Sequence, residues 1–253
     1  MIPVLLAGQI FWDRNDMLFT VSFAPAQVKP REKILTVVID ILRAGSTICK
    51  GLQCGALSFY PVKEISDAYK FRKKNPKCLL AGEREGKKIP GFDLGNSPLE
   101  YVEEVIKDKD ICLCTTNGTK VLSYCHGKPA IIASFLNFDA VVSFITPERY
   151  PEIHLACSGQ NGAFGIDDVY FAGLFINSWT KKHKKANCRF DSGAYAALSI
   201  ANYYDGNIER VKESSFHAMH LKKIGFIKDV DFCFTKGNIT IVPKLEPDGY
   251  IRI

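Results

Sequence analysis

The chain contains 253 residues, of which 47% are hydrophobic and 24% charged, and its formal net charge at pH 7 is +6. This composition supports a full hydrophobic core and excludes intrinsic disorder. The modest positive charge suits a small anionic ligand, and the basic clusters lack the interleaved aromatic residues of a nucleic-acid-binding patch. The nine cysteines are scattered without a CxxC pair, and no apolar run would span a membrane or act as a signal peptide, so we expect a cytoplasmic protein with reduced thiols, no nucleic-acid partner and no membrane partner.

Seven segments rich in Val, Ile, Leu and Cys are interpreted as buried strands. They comprise residues 19–23, 35–39, 57–60, 77–81, 110–115, 130–134 and 152–157. Several precede a polar loop and then a helical pattern, and this alternation favours a layered α/β/α fold with a largely parallel or mixed sheet, in one lobe or two. A single domain is assigned to residues 17–253, because Met17 is followed at once by a strand, and residues 1–16 are interpreted as an extension of unknown role.

The clearest helix signal begins at Ser97, an N-cap residue that precedes Pro98 at the first helical position and Glu100 at the third, and it predicts a helix to about Lys107. Further helices are predicted from Ile48 onward, over 168–181, and over 192–204 with Asp191 as the N-cap. Near the C-terminus, the segments 225–234 and 239–243 are interpreted as a strand or hairpin about Lys236-Gly237-Asn238.

Four polar loops follow predicted strands, at the place where ligands collect in an open α/β sheet. The first loop, residues 40–47 (DILRAGST), sets Asp40 and Arg43 before a turn that contains hydroxyl groups. A carboxylate at the end of a buried strand is a candidate metal ligand or catalytic acid, although an inert ion pair between the two residues would also explain the pattern.

The second loop, residues 82–98, has glycine at four positions and carries Glu83, Arg84 and Asp93. Glycines allow the backbone to approach a ligand closely, so this loop is a candidate binding element, and a long surface turn is the alternative.

The third loop, residues 115–119 (TTNGT), offers hydroxyl, amide and backbone donors for an oxyanion, and an ordinary capped turn would look the same. The fourth, residues 157–168 (CSGQNGAFGIDD), ends in the paired acids Asp167 and Asp168. These acids could hold a divalent cation or serve as charge partners for the N-terminus of the following helix.

Several known catalytic arrangements are absent, since the chain has no DxDx[TV], GxxxxGK[ST], GxSxG or HExxH motif. Residues 78–84 match C-x5-R, but the intervening residues continue a buried strand, so we interpret the match as accidental. Among the five histidines only His217 stands near a motif, and it is interpreted as a packed or capping residue.

Together these loops resemble the 2-phosphosulfolactate phosphatase (ComB) family. The matching blocks are 40–44 (DILRA), 81–84 (AGER), 91–98 (GFDLGNSP), 115–119 (TTNGT), 134–137 (SFLN) and 157–168. Their order agrees over residues 18–243, and the block 91–98 is the most specific. One departure is Gly45, which stands where we expect Ser or Thr and therefore removes one possible hydroxyl ligand.

The resemblance implies Mg²⁺-dependent hydrolysis of 2-phospho-3-sulfolactate to 3-sulfolactate and phosphate, in a pathway that leads to coenzyme M or ends at sulfolactate. The candidate metal ligands are Asp40, Glu83, Asp93, Asp167 and Asp168, because Mg²⁺ prefers oxygen ligands. The catalytic carboxylates would be Asp40, Glu83 and Asp93, one of which aligns or deprotonates the attacking water. The candidate substrate-binding residues are Arg43, Ser46, Thr47, Arg84, Asn96, Thr116, Asn117, Gly118, Thr119, Asn137 and Ser158; for Asn137 a buried turn is the favoured alternative.

Two other functions stay open. The chain could be a phosphatase for another small anionic phospho-hydroxy acid, or a non-catalytic protein that binds an anionic metabolite with the same loops. A homodimer is the expected assembly only because it is the commonest one among soluble proteins.

Overall fold

The computed structural model describes residues 16–237 and 239–253, which form one mixed sheet of 11 strands with ten α-helices. The strands are β1 (Met17–Ser22), β2 (Leu35–Ile39), β3 (Ser58–Val62), β4 (Leu79–Arg84), β5 (Lys87–Lys88), β6 (Asp110–Cys114), β7 (Ala130–Ala133), β8 (Glu152–Cys157), β9 (Cys188–Phe190), β10 (Lys244–Leu245) and β11 (Ile251–Arg252). The α-helices are α1 (Ala44–Gln53), α2 (Ile65–Lys74), α3 (Glu103–Ile106), α4 (Gly118–Tyr124), α5 (Phe138–Phe144), α6 (Ile166–Lys182), α7 (Ser192–Tyr204), α8 (Ile208–Ser214), α9 (Phe216–Lys223) and α10 (Ile227–Cys233). Short 3-10 helices occupy Pro25–Gln27, Pro98–Glu100 and Phe135–Asn137.

The strand order is β5-β4-β6-β3-β11-β10-β7-β2-β8-β1-β9. Strands β4, β6 and β3 are parallel to one another, as are β7, β2, β8, β1 and β9. The antiparallel hairpin β10–β11 joins the two groups by pairing with β7 on one side and β3 on the other. Because three antiparallel pairings separate them, the two parallel groups run in opposite directions along the sheet.

Helices cover both faces of the sheet, as a layered α/β architecture requires. On one face α5, α6 and α7 bury aromatic side chains such as Phe19, Phe171 and Trp179, and the Trp179 Nε1–H donates to the Ile145 carbonyl oxygen at 2.8 Å. A second apolar cluster unites α1 and α4 with β2, β3 and β6. In the described part of the chain no helix has the length and apolar composition needed to cross a membrane.

All seven predicted strands are confirmed, with bounds that differ from the predicted ones by three residues or fewer. The strands that sequence reasoning missed are β5, β9, β10 and β11, which have only two or three residues each and so show no usable periodicity. The predicted helices at 168–181 and 192–204 are also confirmed, and the Asp191 carboxylate accepts the Ala194 N–H at 2.6 Å as the predicted N-cap.

The predicted continuous helix from Ser97 to Lys107 is wrong. Ser97 does cap a 3-10 turn by accepting the Leu99 N–H at 3.3 Å, but a new helix begins only at Glu103. The chain breaks in between because the Glu100 carboxylate accepts the Gly95 N–H at 2.7 Å and the fully buried Tyr101 donates to the Gly95 carbonyl oxygen at 2.8 Å. These tertiary contacts outweigh the local helix signal.

Two further expectations need correction. Helix α1 begins at Ala44, before the expected start at Ile48, and residues 227–233 form α10 in place of a strand. The C-terminal hairpin turns through residues 246–250, whereas the predicted turn at Lys236-Gly237-Asn238 falls partly on Asn238, outside the described residues. Most of the predicted extension, residues 1–15, also lies outside them.

Candidate active site

Three of the four predicted loops and helix α9 line one small polar cavity of about 10 Å³. Its lining consists of Asp40, Leu42, Arg43, Glu83, Gly86, Asn96, Thr115, Asn117, Gly118 and His217. Clefts of larger volume exist elsewhere, such as one of about 530 Å³ beside Tyr60 and Lys63, but the predicted site residues do not line it. Size alone therefore does not indicate the site, whereas the gathering of charged and polar groups does.

Asp40 lines the cavity and is buried. One oxygen, Oδ1, accepts the Ala44 N–H at 3.0 Å, while Oδ2 faces Gly118. Burial raises the pKa of Asp40 to about 7, and the carboxylates of Asp167 and Glu83 add to the rise against the opposing effects of the Ala44 N–H and Arg43. A carboxylate with this pKa can exchange a proton near neutral pH.

Glu83 is held by the backbone of two different loops. Its Oε1 accepts the Thr116 N–H at 2.8 Å and its Oε2 accepts the Gly86 N–H at 2.9 Å. These bonds fix the carboxylate in the cavity lining, and each oxygen keeps a lone pair for a further ligand.

Arg43 is buried with its guanidinium group on the cavity. Nη1 donates to Asp229 Oδ2 at 2.6 Å, Nη2 donates to the Gly86 carbonyl oxygen at 2.5 Å, and the group lies 4.4 Å from the centre of the Phe226 ring. Guanidinium has five N–H donors, so three are left for an anion.

The paired acids of the fourth loop have different surroundings. Asp168 accepts the Ile41 N–H and the Gly159 N–H, both at 2.9 Å, so both of its oxygens tie loops together. Burial, together with Asp167 and Asp40, raises the pKa of Asp168 well above its usual range. Asp167 accepts a hydrogen bond from Ser215 Oγ at 3.1 Å through Oδ1 only.

Arg84 and Asp93 are two of the predicted site residues that do not line the cavity. Arg84 donates to the carbonyl oxygens of Glu83 at 2.8 Å and Lys63 at 2.9 Å, and the Asp93 carboxylate pairs with Arg72 and accepts the Leu80 N–H at 2.7 Å. Both side chains therefore bond to the backbone of β4 or its neighbours, and neither lines the cavity with Asp40.

Several predicted donors are used within the protein. Their hydroxyl or amide groups bond to backbone carbonyls: Ser46 to Ile41, Thr47 to Asn96, Thr119 to Thr115, and Asn137 to Ile132 and Ile241. Thr116 contributes its N–H to Glu83, and the favoured turn role of Asn137 is confirmed. Ser158 is fully buried, and its Oγ has no hydrogen-bond partner among the described residues.

Of the remaining predicted binding residues, Asn96, Asn117 and Gly118 line the cavity. Asn117 is oriented by the fourth loop, since its Oδ1 accepts the Asn161 N–H at 3.0 Å. Asn96 is buried and its Oδ1 has no partner among the described residues. A buried acceptor without a partner indicates a place where a ligand or ion would bond.

Two residues of the site were not predicted as such. His217 in α9 lines the cavity, where burial lowers its pKa against the opposing effects of Asp167 and Glu83. Asp229 in α10 pairs with Arg43. His217 was interpreted from the sequence as a packed or capping residue, Asp229 stands in no recognisable motif, and the three short helices α8 to α10 that carry this part of the chain were not predicted.

The donor set fits a hard cation. The cavity lining offers the Glu83 carboxylate and the unpaired Asn96 oxygen, and the nearby Asp167 carboxylate raises the pKa of Asp40. Mg²⁺ prefers such oxygen ligands. Within residues 16–237 and 239–253 no three His, Cys, Asp or Glu side chains are already placed around one metal position. Mg²⁺ commonly takes only one or two protein carboxylates and completes its shell with water and substrate phosphate, so the residues agree with that mode of binding.

Comparisons with known proteins point to one family. A family model described as 2-phosphosulpholactate phosphatase matches residues 20–248. Proteins named "Probable 2-phosphosulfolactate phosphatase" are similar over nearly their whole length. One from Thermotoga petrophila is 43% identical and one from Thermotoga maritima 41% identical, each over 225 residues that cover 89% of this chain and 95% of the relative. One from Carboxydothermus hydrogenoformans is 36% identical over 90% of this chain and 93% of its own.

Proposed function

The chain belongs to the 2-phosphosulfolactate phosphatase family, and from that premise we propose that it is a Mg²⁺-dependent phosphoric monoester hydrolase that converts 2-phospho-3-sulfolactate and water to 3-sulfolactate and inorganic phosphate. The observation that carries the proposal is the shared cavity, in which Asp40 and Arg43 of the first loop meet Glu83 of the distant second loop. A buried arginine near a carboxyl group whose pKa burial raises to about 7, as in Asp40, suits phosphoryl transfer.

The proposed substrate carries a phosphate, a carboxylate and a sulfonate on three carbons. Moving so much negative charge out of water is unfavourable unless cationic groups and hydrogen-bond donors compensate it. Arg43 supplies one fixed positive charge with three free N–H donors, and Asn117 supplies a polar side chain beside it. We assign Arg43 to the phosphoryl oxygens because a rigid guanidinium group matches their geometry.

Asp40 is assigned as the acceptor of the proton from the attacking water. Its Oδ2 faces the cavity, and its pKa of about 7 matches a general base that acts near neutral pH. The water oxygen forms a bond to phosphorus while the bond from phosphorus to the C2 oxygen of the substrate breaks, and that oxygen then takes up a proton. Enzymes accelerate phosphoryl transfer mainly by positioning the reactants and by stabilising the charge of the transition state.

Glu83 and Asp167 would hold the Mg²⁺ ion, with the Asn96 oxygen as a further ligand. When bound, Mg²⁺ would offset the mutual repulsion of the carboxylates and withdraw charge from the phosphoryl oxygens. Glu83 is already oriented for this role by two backbone N–H groups, and Asp167 by Ser215.

Phosphate release from 2-phospho-3-sulfolactate, phosphoglycolate and 2-phosphoglycerate, measured with Mg²⁺ and again with excess EDTA, tests the proposal. We expect the highest kcat/KM for 2-phospho-3-sulfolactate and loss of turnover with EDTA. A preference for either other substrate would redirect the assignment to a different phospho-hydroxy acid. Binding without turnover under all conditions would indicate a non-catalytic metabolite-binding protein.

A further inference from the structure

Arg43 and Asp40 are close in the chain and line the same cavity, yet they do not form an ion pair. Arg43 pairs with Asp229 at 2.6 Å, and Asp40 takes part in no ion pair among the described residues. A buried carboxylate and a buried arginine attract each other strongly where water is excluded. Another interaction must therefore keep the Arg43 guanidinium group away from Asp40.

Asp229 can hold Arg43 because hydrogen bonds fix the position of its own carboxylate. Its Oδ2 accepts from Arg43 and its Oδ1 accepts from Ser97 Oγ at 2.8 Å, so both oxygens are used. The carboxylate is almost fully buried, and the next residue in α10, Val230, belongs to the hydrophobic core. A side chain with two partners on a packed helix has little freedom to move.

The guanidinium group has two other contacts that define its plane, the Gly86 carbonyl oxygen at 2.5 Å and the face of Phe226. Neither of them carries a negative charge. Without Asp229 the buried positive charge of Arg43 would have no charged partner, and Asp40 is a cavity carboxylate whose ionisation Arg43 already influences.

We propose that Asp229 is a positioning residue for the hydrolysis proposed above: it holds the Arg43 guanidinium group away from Asp40, so that Oδ2 of Asp40 stays free for the attacking water and the N–H donors of Arg43 stay directed at the phosphoryl group. Asp229 does not contact the reacting atoms itself. It acts through Arg43, and this dependence makes the inference testable.

The decisive experiment is a double-mutant cycle in the full chain with Asp229→Ala and Arg43→Gln, measured as kcat/KM with Mg²⁺. We expect Asp229→Ala to lower kcat/KM about 100-fold in the otherwise unchanged protein, because misplaced catalytic groups cost that much. The loss should fall mainly on kcat, since Asp40 acts in proton transfer. In the Arg43→Gln background the same substitution should change kcat/KM by no more than about twofold.

Asp231→Ala is the matched control. It removes a carboxylate from the same helix, but this one is exposed and pairs with Lys212, which also pairs with Glu209. Its kcat/KM should equal that of the unchanged protein. If Asp229→Ala does not fold, Asp229→Asn replaces it, with an expected loss of about tenfold because a neutral amide still accepts one hydrogen bond from Arg43.

An equal loss in both backgrounds would overturn the inference and leave Asp229 a purely structural residue, as would kcat/KM unchanged by Asp229→Ala. A crystal structure of the Asp229 variant adds a readout that needs no substrate: Arg43 should turn to Asp40, and a guanidinium group still bonded to Gly86 in its original place would contradict the proposal.

If the unchanged protein hydrolyses p-nitrophenyl phosphate but not 2-phospho-3-sulfolactate, the proposed substrate is wrong, but the double-mutant cycle can still be measured with p-nitrophenyl phosphate. If it hydrolyses neither compound, the position of the Arg43 guanidinium group in the crystal structure of the Asp229 variant tests the inference.

Discussion

Gly118 lies so close to Asp40 that a Cβ atom at position 118 would stand 2.4 Å from Asp40 Oδ2 and 2.9 Å from the Cβ of Ala44. Gly118 is the first residue of α4, which follows β6, whereas Asp40 follows β2. These strands belong to the two parallel groups that run in opposite directions. The contact between glycine and carboxylate is therefore one of those that join the two halves of the sheet at the site, together with the hydrogen bond from Arg43 to the Gly86 carbonyl oxygen.

We predict that Gly118→Ala lowers kcat at least about tenfold, because the new methyl group displaces the Asp40 carboxylate from its place in the cavity. Stability should also fall, because at the first residue of α4 the clash with the Cβ of the buried Ala44 outweighs the helix propensity of Ala. Steady-state kinetics and thermal unfolding of the variant check both statements. Unchanged kcat would show that the Asp40 carboxylate can shift without loss of function.

Asp40→Asn and Asp93→Asn form a matched pair that separates the site from its surroundings. Asp40→Asn should lower kcat by about 1000-fold or more, because an amide cannot accept the proton of the attacking water. It should also unfold at the same temperature or a higher one, since burial of the charged form is unfavourable and raises the pKa of Asp40 to about 7.

Asp93→Asn should keep kcat/KM within about twofold, because Asp93 pairs with Arg72 outside the cavity and exposed ion pairs contribute little. Phosphate-release kinetics and thermal unfolding of both variants make the comparison. Loss of turnover in Asp93→Asn alone would show that the catalytic centre lies beside Asp93 and not in the cavity.

The loops of the site could be predicted from the sequence because strand, polar loop and helix follow one another in an order that physical rules link to ligand binding. That reasoning identified Asp40, Arg43, Glu83, Asn117 and Gly118, all of which line the cavity. It could not decide which polar groups of a loop face inward, since that depends on contacts between distant segments.

Two residues illustrate this limit. Arg84 follows Glu83 directly, but alternation along a strand sends the two side chains in opposite directions, so only Glu83 reaches the cavity. Gly45 was expected to leave a hydroxyl group missing, whereas a Cβ atom there would lie 2.6 Å from the Asp40 carbonyl oxygen, so the backbone itself occupies that space. Asp229 was missed because its role depends on the fold of α10 beside Arg43.

His154 offers a test of stability that is independent of the active site. It lies between Thr20 Oγ1 at 2.8 Å and Ser22 Oγ at 3.1 Å, and burial lowers its pKa from 6.5 to about 4. The unfolded chain therefore binds a proton at a higher pH than the folded one, so this contribution to stability is full above pH 6.5 and is lost as the pH falls towards 4. Between pH 7.5 and pH 5 it should amount to about 2 kcal/mol.

Urea unfolding of the unchanged protein and of His154→Gln at both pH values measures this difference. The loss of unfolding free energy on acidification should be about 2 kcal/mol smaller in His154→Gln. The exposed His126, changed to Gln, serves as the control and should behave like the unchanged protein. An identical pH dependence in all three proteins would mean that His154 is readily protonated in the folded state.

Mg²⁺ should stabilise the folded protein even in the absence of substrate. The raised pKa of Asp40 shows that Asp167 and Glu83 disfavour its ionised form at a buried site, so a cation that binds among these side chains removes an unfavourable interaction. We expect the melting temperature to rise with Mg²⁺ concentration and to saturate. Asp167→Asn should weaken this rise, and Asp93→Asn should leave it unchanged because Asp93 lies outside the cavity. K⁺ at equal ionic strength controls for screening, and an equal effect of both salts on the unchanged protein would contradict a specific Mg²⁺ site.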